Sequence, residues 1–277
     1  MLSTGHLIWI AISAAAIVIG CVICKRKRPT LEQVLKACLV VGAASEIVKI
    51  FCVTSILPVV TTEIAVGEAG PVLQYVPLGP YTPYLKMEHL PLEMCSLMIP
   101  LMALTLLIKN SVWRQRLLAL MYIAGTIGGT LGLLLCFIAG EYDTPAAYFA
   151  APRVWQFFLY HAMVVFLGIY LGFIRDSGFS LRNWKSTVLM LIALDLPTFY
   201  LNSVFSQAVY VEGAPVGVAY STNFFSSYVN PLGLVLTEKW QWLVYLAIRA
   251  ALAGALIALM LWLSSLKKAS RKKTGRV

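Results

Sequence analysis

Seven apolar stretches, each close to the length of a bilayer-crossing helix, take up most of the chain. A helix rises about 1.5 Å per residue, so about 20 mostly apolar residues cross a hydrocarbon core. Residues 7–24, 31–60, 89–108, 117–139, 154–174, 186–209 and 241–263 fit that requirement, although Lys36, Glu46 and Lys49 interrupt the second. Only 12% of the 277 residues are charged and 60% are hydrophobic, whereas a soluble domain carries roughly a quarter charged residues. The expected fold is therefore an all-α membrane protein. It is a seven-transmembrane helix bundle forming one polytopic domain over residues 1–277, with a basic tail at 264–277.

The charge pattern orients this bundle. The net charge is +10, but the basic residues come in short blocks between apolar stretches, which reads as membrane topology and not as a nucleic-acid surface. Alternate loops and the tail hold sixteen Lys and Arg, against three (Lys86, Arg153 and Lys239) on the opposite loops. Basic loops stay cytoplasmic, so the N-terminus is expected outside and the C-terminus in the cytoplasm of a multi-pass cell-membrane protein. No Lys or Arg precedes the first stretch and four follow it, Lys25 to Arg28. That flank is expected of an anchor and not of a cleaved leader. The partners expected are membrane phospholipids, with no nucleic acid.

The inner loops are short and basic, so chemistry is expected on the outer side. Two longer outer loops, 61–88 and 210–240, are rich in Pro, Gly and aromatic residues. They read either as interfacial anchors or as a re-entrant lid over an outward-facing pocket. In the fourth stretch Gly125 and Gly129, and Gly128 and Gly132, have the spacing that lets another helix approach closely.

Helix rise places several polar residues at similar depth. Cys95 is six residues in from the outer end of its stretch, about 9 Å. His161 is seven in, about 10 Å, and Arg249 eight, about 12 Å. Glu46, Lys49, Asp195 and Asn202 fall in the same zone. Intramembrane charges are costly and mark either function or mutual pairing, so this layer is a candidate site or a set of bonds holding the bundle. A thiol alone is an inert apolar filler, whereas a thiol beside an imidazole is a nucleophile with its base.

Of the six cysteines, Cys21 and Cys24 form a lone CxxC at a helix end, with no second ligand pair for zinc. They read as apolar residues or lipidation sites. Cys52, Cys95 and Cys136 lie toward the outer side, and their spacing pairs none of them. No cofactor or metal is expected, the alternative ligand set being His89, Cys95 and His161.

The stretch His89-Leu90-Pro91-Leu92-Glu93-Met94-Cys95 resembles the Pro-Leu-x-x-Cys signature of YwaF-like bacterial membrane proteins. Phe157-Phe158-Leu159-Tyr160-His161-Ala162-Met163 looks like their His-bearing helix. Thr222-Asn223-Phe224-Phe225, Asn230-Pro231-Leu232 and Trp240-Gln241-Trp242 are further matches, so the similarity runs from about residue 85 to 247. It departs at Glu93, where many bacterial relatives carry His. These proteins are similar to eukaryotic transmembrane protein 164, a cysteine-dependent acyltransferase of ether phospholipids. The resemblance implies a phospholipid acyltransferase with Cys95 as acyl-accepting nucleophile, His161 as base, and Asn223 and Asn230 at the lipid pocket. Asn202 or loop amides would serve the oxyanion, and Arg249 or Lys49 a phosphate. The alternative is a non-catalytic transporter or lipid-binding protein that uses the charged layer of Glu46, Lys49, Asp195 and Arg249.

Overall fold

The computed structural model describes residues 3–67, 70–135, 144–175, 177, 179–211, 214–219, 222–226 and 234–273. The chain is mostly helical: α1 (Thr4–Lys27), α2 (Leu31–Val53), α3 (Met94–Leu107), α4 (Ser111–Ile123), α5 (Gly129–Leu135), α6 (Pro145–Ala150), α7 (Pro152–Ile169), α8 (Trp184–Val204) and α9 (Lys239–Lys273). Ala124–Gly128 is a π-helical turn that fuses α4 to α5, and Tyr170–Ile174 is another that ends α7. Five of these helical runs are long and apolar enough to cross a membrane: α1, α4 to α5, α7 with its π turn, the run containing α8, and α9 to Leu266. This is a membrane protein built as a helix bundle.

The axis of the bundle is α7. Of its apolar stretch 67% is buried, against 17% for α1, α8 and α9. It packs against α1, α2, α3, α4 and α5, while α8 and α9 pair on the α4 side. Glycines make the α5–α7 crossing possible. Gly125 lies against the Val164 carbonyl and Gly168, and a Cβ on Gly168 would sit 2.5 Å from the Thr126 nitrogen. Side chains at these crossings would force the two backbones apart.

The helix ends sort into two layers. At one end α1 finishes in Lys25, Arg26 and Lys27, Thr30 and Gln33 form a reciprocal cap on α2, and Asn110 accepts from the amides of Val112 and Trp113 to start α4. Tyr170 donates to the Pro29 carbonyl (3.1 Å) and Gln115 to the Ser177 carbonyl (2.5 Å), tying these basic turns together.

At the opposite end, the segments read from sequence as anchors or a lid contain β-strands. Ser55–Gly67 and Gly70–Tyr84 form an antiparallel ribbon, β1 and β2, with a register shift between Pro58 and Val60. Gln207–Val211 and Ala214–Ala219 form a second ribbon, β3 and β4. The stretches expected to be helical to residues 60 and 209 therefore leave the helix at Val53 and Val204. The residues that follow are rich in β-branched Ile, Val and Thr, which suit a pleated ribbon. Prolines 58, 71, 77, 80 and 83 are tolerated because each strand of a two-stranded ribbon is an edge.

The third stretch also starts late. Residues 89–93 stay outside the helix and α3 begins only at Met94, after Pro91 and an extended Glu93. Its 14 residues span about 21 Å, short of a hydrocarbon core of about 30 Å. By length alone α3 does not reach across a bilayer.

Candidate functional site at the start of helix α3

Cys95 is the second residue of α3. The first-turn amides of a helix have no partner within it, so those of Met94, Cys95 and Ser96 point their N–H bonds out of the end where the thiol sits. Leu97 is the first residue whose amide is returned to the turn, to the Glu93 carbonyl (2.9 Å). Such an array is suited to a developing oxyanion.

The contact from α7 to this turn comes from Tyr160, whose hydroxyl donates to the Cys95 carbonyl at 2.6 Å. Tyr160 is also within electrostatic reach of Glu46 on α2. His161 follows it by one residue and leaves α7 about 100° around the helix. Its Nδ1 lies 2.8 Å from the Phe157 carbonyl. A carbonyl only accepts, so Nδ1 carries the proton and Nε2 of the neutral ring presents a lone pair. The ring is seated against α5, where a Cβ on Gly132 would run into Cδ2 and Nε2. No hydrogen bond joins Cys95 to His161 among the described residues. The structure thus brings the thiol-bearing turn and the imidazole to adjacent faces of one helix, with Tyr160 between them.

A loop caps the same end. Thr222–Ser226 is gripped by side chains from three helices. Asn202 of α8 accepts from the Phe224 amide (2.9 Å) and the Thr222 hydroxyl (2.9 Å), and donates to the Phe224 carbonyl (3.1 Å). From α9, Arg249 donates to the Phe225 carbonyl (2.8 Å) and Tyr245 to the Ser226 carbonyl (3.2 Å). The Glu93 carboxylate, at the N-cap of α3, is bonded to the Phe225 backbone. Phe225 and Ser226 both have positive φ, 56° and 51°. Non-glycine residues held there cost about 1–3 kcal/mol each and persist only when their surroundings over-determine them. Four side chains supply that constraint here, and Glu93 links the strained turn to the cysteine two residues on.

The other expected residues fall into place around this core. Asp195 and Arg249 form an ion pair between α8 and α9, and Arg249 also lies 5.8 Å from the Phe199 ring. Glu46 and Lys49 form a second pair within α2, with Lys49 buried. Asn202, Arg249 and Lys49 are therefore engaged by protein groups. Asn223 is half-buried in the capping loop, and its carbonyl accepts from the Ser226 amide (3.0 Å). Asn230 and Cys136 lie outside the described residues. Cys52 and Cys95 are free thiols. His89 ends a 3-10 turn beside Glu88, and among the described residues no group of three or more His, Cys, Asp or Glu side chains is placed to hold a metal.

Two residues escaped the sequence reading. Tyr160 is the link from α7 to the cysteine turn, and only its place beside His161 marked it. His6 is buried on α1 and bonds through Nε2 to the Leu133 carbonyl (2.7 Å), next to the Gly132 that seats His161. It lies one residue before the first apolar stretch and carried no depth signal.

Comparison with known proteins gives one match. The family model described as the TMEM164 family covers residues 1–263. No curated protein and no solved structure matches the chain.

Proposed function

Because the chain belongs to the TMEM164 family, we propose that it is a phospholipid acyltransferase of the cell membrane that uses Cys95 as nucleophile and His161 as base. The observation that carries this reading is a cysteine in the first turn of a helix too short to cross the bilayer. Such a position would set a thiol and the first-turn amides of α3 near lipid acyl chains. We read the bundle as seven spans: α1, α2, α3 completed by residues 89–93 ahead of it, α4 with α5, α7, α8 and α9. The N-terminus is outside and the basic helix ends are cytoplasmic. Glu46–Lys49 pairing lets α2 cross despite its charges.

In the proposed cycle the Cys95 S–H proton passes to His161 Nε2, which the Phe157 carbonyl leaves unprotonated. The thiolate attacks a lipid ester carbonyl, and the first-turn amides of α3 hold the oxyanion. Collapse breaks the C–O bond, and the departing lysolipid oxygen takes the proton from the imidazolium. The acyl group now rests on Cys95 as a thioester. A second lipid hydroxyl gives its proton to Nε2 and attacks, the C–S bond breaks, and the thiolate recovers its proton from His161. Reaching Sγ requires the His161 ring to turn from Gly132 when lipid binds, consistent with catalytic contacts that tighten only in the complex. Asn223 would meet the lipid headgroup, while Asn202 and Arg249, the latter paired with Asp195, hold the loop that carries it.

The test is acyl transfer by the full chain in nanodiscs, read by mass spectrometry with an isotope-labelled donor and a lysophospholipid acceptor. A hydroxylamine-sensitive acyl adduct on Cys95 and loss of transfer in Cys95→Ser are expected. Equal labelling of wild type and His161→Ala by a thiol-directed probe would remove His161 from the base role. Retained lipid handling in Cys95→Ser would favour the alternative of a non-catalytic lipid binder or transporter. The absence of a thiol–imidazole hydrogen bond among the described residues favours that alternative.

A further inference from the structure

A second lipid-facing feature lies at the basic end, away from Cys95. The starts of α4 and α8 diverge to leave an open cleft of about 930 Å³. Arg116 comes from α4, Arg182 from the turn before α8, and Lys185 from the first turn of α8. Among the described residues, no acidic one lines it and none of the three cations enters an ion pair. Apolar Val112, Trp113, Leu189, Met190 and Ala193 line the rest of it beside four polar side chains. Trp113 and Leu189 are 51% and 65% exposed, which places the cleft at the lipid-facing surface. Arg116 stacks over the Trp113 ring at 4.8 Å from its centroid, so its guanidinium is held at the rim.

We infer that this cleft binds one anionic glycerophospholipid, with the phosphate headgroup between Arg116, Arg182 and Lys185 and the upper acyl chains along Trp113, Leu189 and Met190. Three uncompensated cations beside lipid-exposed carbon match an anion that carries its own hydrocarbon. A free phosphate would leave the apolar wall uncovered, and a zwitterionic lipid would add a fourth positive charge. Basic pockets between transmembrane helices are a recurrent way of holding anionic headgroups. The cleft is small enough for a single lipid, since ligand pockets run to about 1,000 Å³.

The experiment uses the full chain in phosphatidylcholine nanodiscs doped with brominated phosphatidylglycerol. Its readout is quenching of Trp113 fluorescence, isolated by subtracting the Trp113→Phe signal. Wild type is expected to be half-quenched at a low fraction of the anionic lipid. Each of Arg116→Gln, Arg182→Gln and Lys185→Gln should raise that fraction about fivefold, as expected for roughly 1 kcal/mol per basic residue near the surface. The triple change Lys267→Gln, Lys268→Gln and Arg271→Gln, which removes equal charge from the tail, should leave it unmoved. The inference fails if brominated phosphatidylcholine quenches at the same fraction or if the cleft variants behave as wild type. It also fails if millimolar inorganic phosphate displaces the lipid, which makes the site a free-anion site. Trp113 quenched by neither lipid, as a second protein copy over the cleft would leave it, is equally fatal.

Discussion

The ion pairs Glu46–Lys49 and Asp195–Arg249 differ in what they hold. Glu46 and Lys49 are three residues apart on α2, so the pair closes on its own helix. Asp195 and Arg249 are 54 residues apart and join α8 to α9, and the same guanidinium reaches the Phe225 carbonyl of the capping loop. The first pair stays within one helix. The second fixes the position of a loop whose backbone is strained. Burying charge is expensive in both cases, but only the second returns tertiary order.

That difference predicts unequal responses. Arg249→Ala strands the Asp195 carboxylate and the Phe225 carbonyl together. Removing one partner of a buried pair costs about 3–5 kcal/mol. This pair is part-buried, so we expect a loss no larger than that range in thermal unfolding of the purified protein, with faster labelling of Cys95 by a bulky maleimide as the loop loosens. Asn202→Ala should come next. It leaves the Phe224 amide, the Phe224 carbonyl and the Thr222 hydroxyl without their bonds, at about 1–3 kcal/mol for each group that water does not reach. It too should speed Cys95 labelling, because the loop and not the ion pair as such is the shared object.

The α2 pair is the contrast. Replacing both members, Glu46→Gln with Lys49→Met, should change stability by no more than about 1 kcal/mol. Exchanging a whole buried pair for neutral groups of similar volume is often neutral. Cys95 labelling should stay at the wild-type rate. A double change as costly as Arg249→Ala would show that the α2 pair also holds tertiary structure, and the distinction drawn between the two would be lost.

Much of the bundle was legible in composition and spacing, and what was missed has local causes. Apolar length and basic blocks located the helices because bilayer thickness and charge asymmetry act on every residue of a span. They overran at Val53 and Val204, because Ile, Val and Thr satisfy a hydropathy reading equally well as strand and as helix. Depth arithmetic placed Cys95 and His161 at one level, as befits helices packed side by side. It carries no azimuth, so it could not tell that Tyr160 faces the cysteine turn while His161 faces Gly132. Asp195, Asn202 and Arg249 were picked out as polar residues at a shared level. Their common task of holding Thr222–Ser226 required a loop conformation with positive φ at Phe225 and Ser226 that no residue type there announces.

A small expected effect is the most pointed, because it separates Tyr160 from its neighbour. Tyr160→Phe deletes one hydroxyl and leaves the ring in the core. The Cys95 carbonyl loses a bond worth about 1 kcal/mol, a loss of order a few degrees in unfolding temperature. Tyr160 donates to the backbone and not to the thiol, so it is a positioning residue: removing it should loosen the first turn of α3 without changing which group takes the proton. The pH profile of Cys95 labelling should therefore keep its shape in Tyr160→Phe while the rate at its plateau falls. His161→Gln, by contrast, should shift the profile itself. A Tyr160→Phe profile displaced along the pH axis would make the phenol a partner of the sulfur and move the base role away from His161.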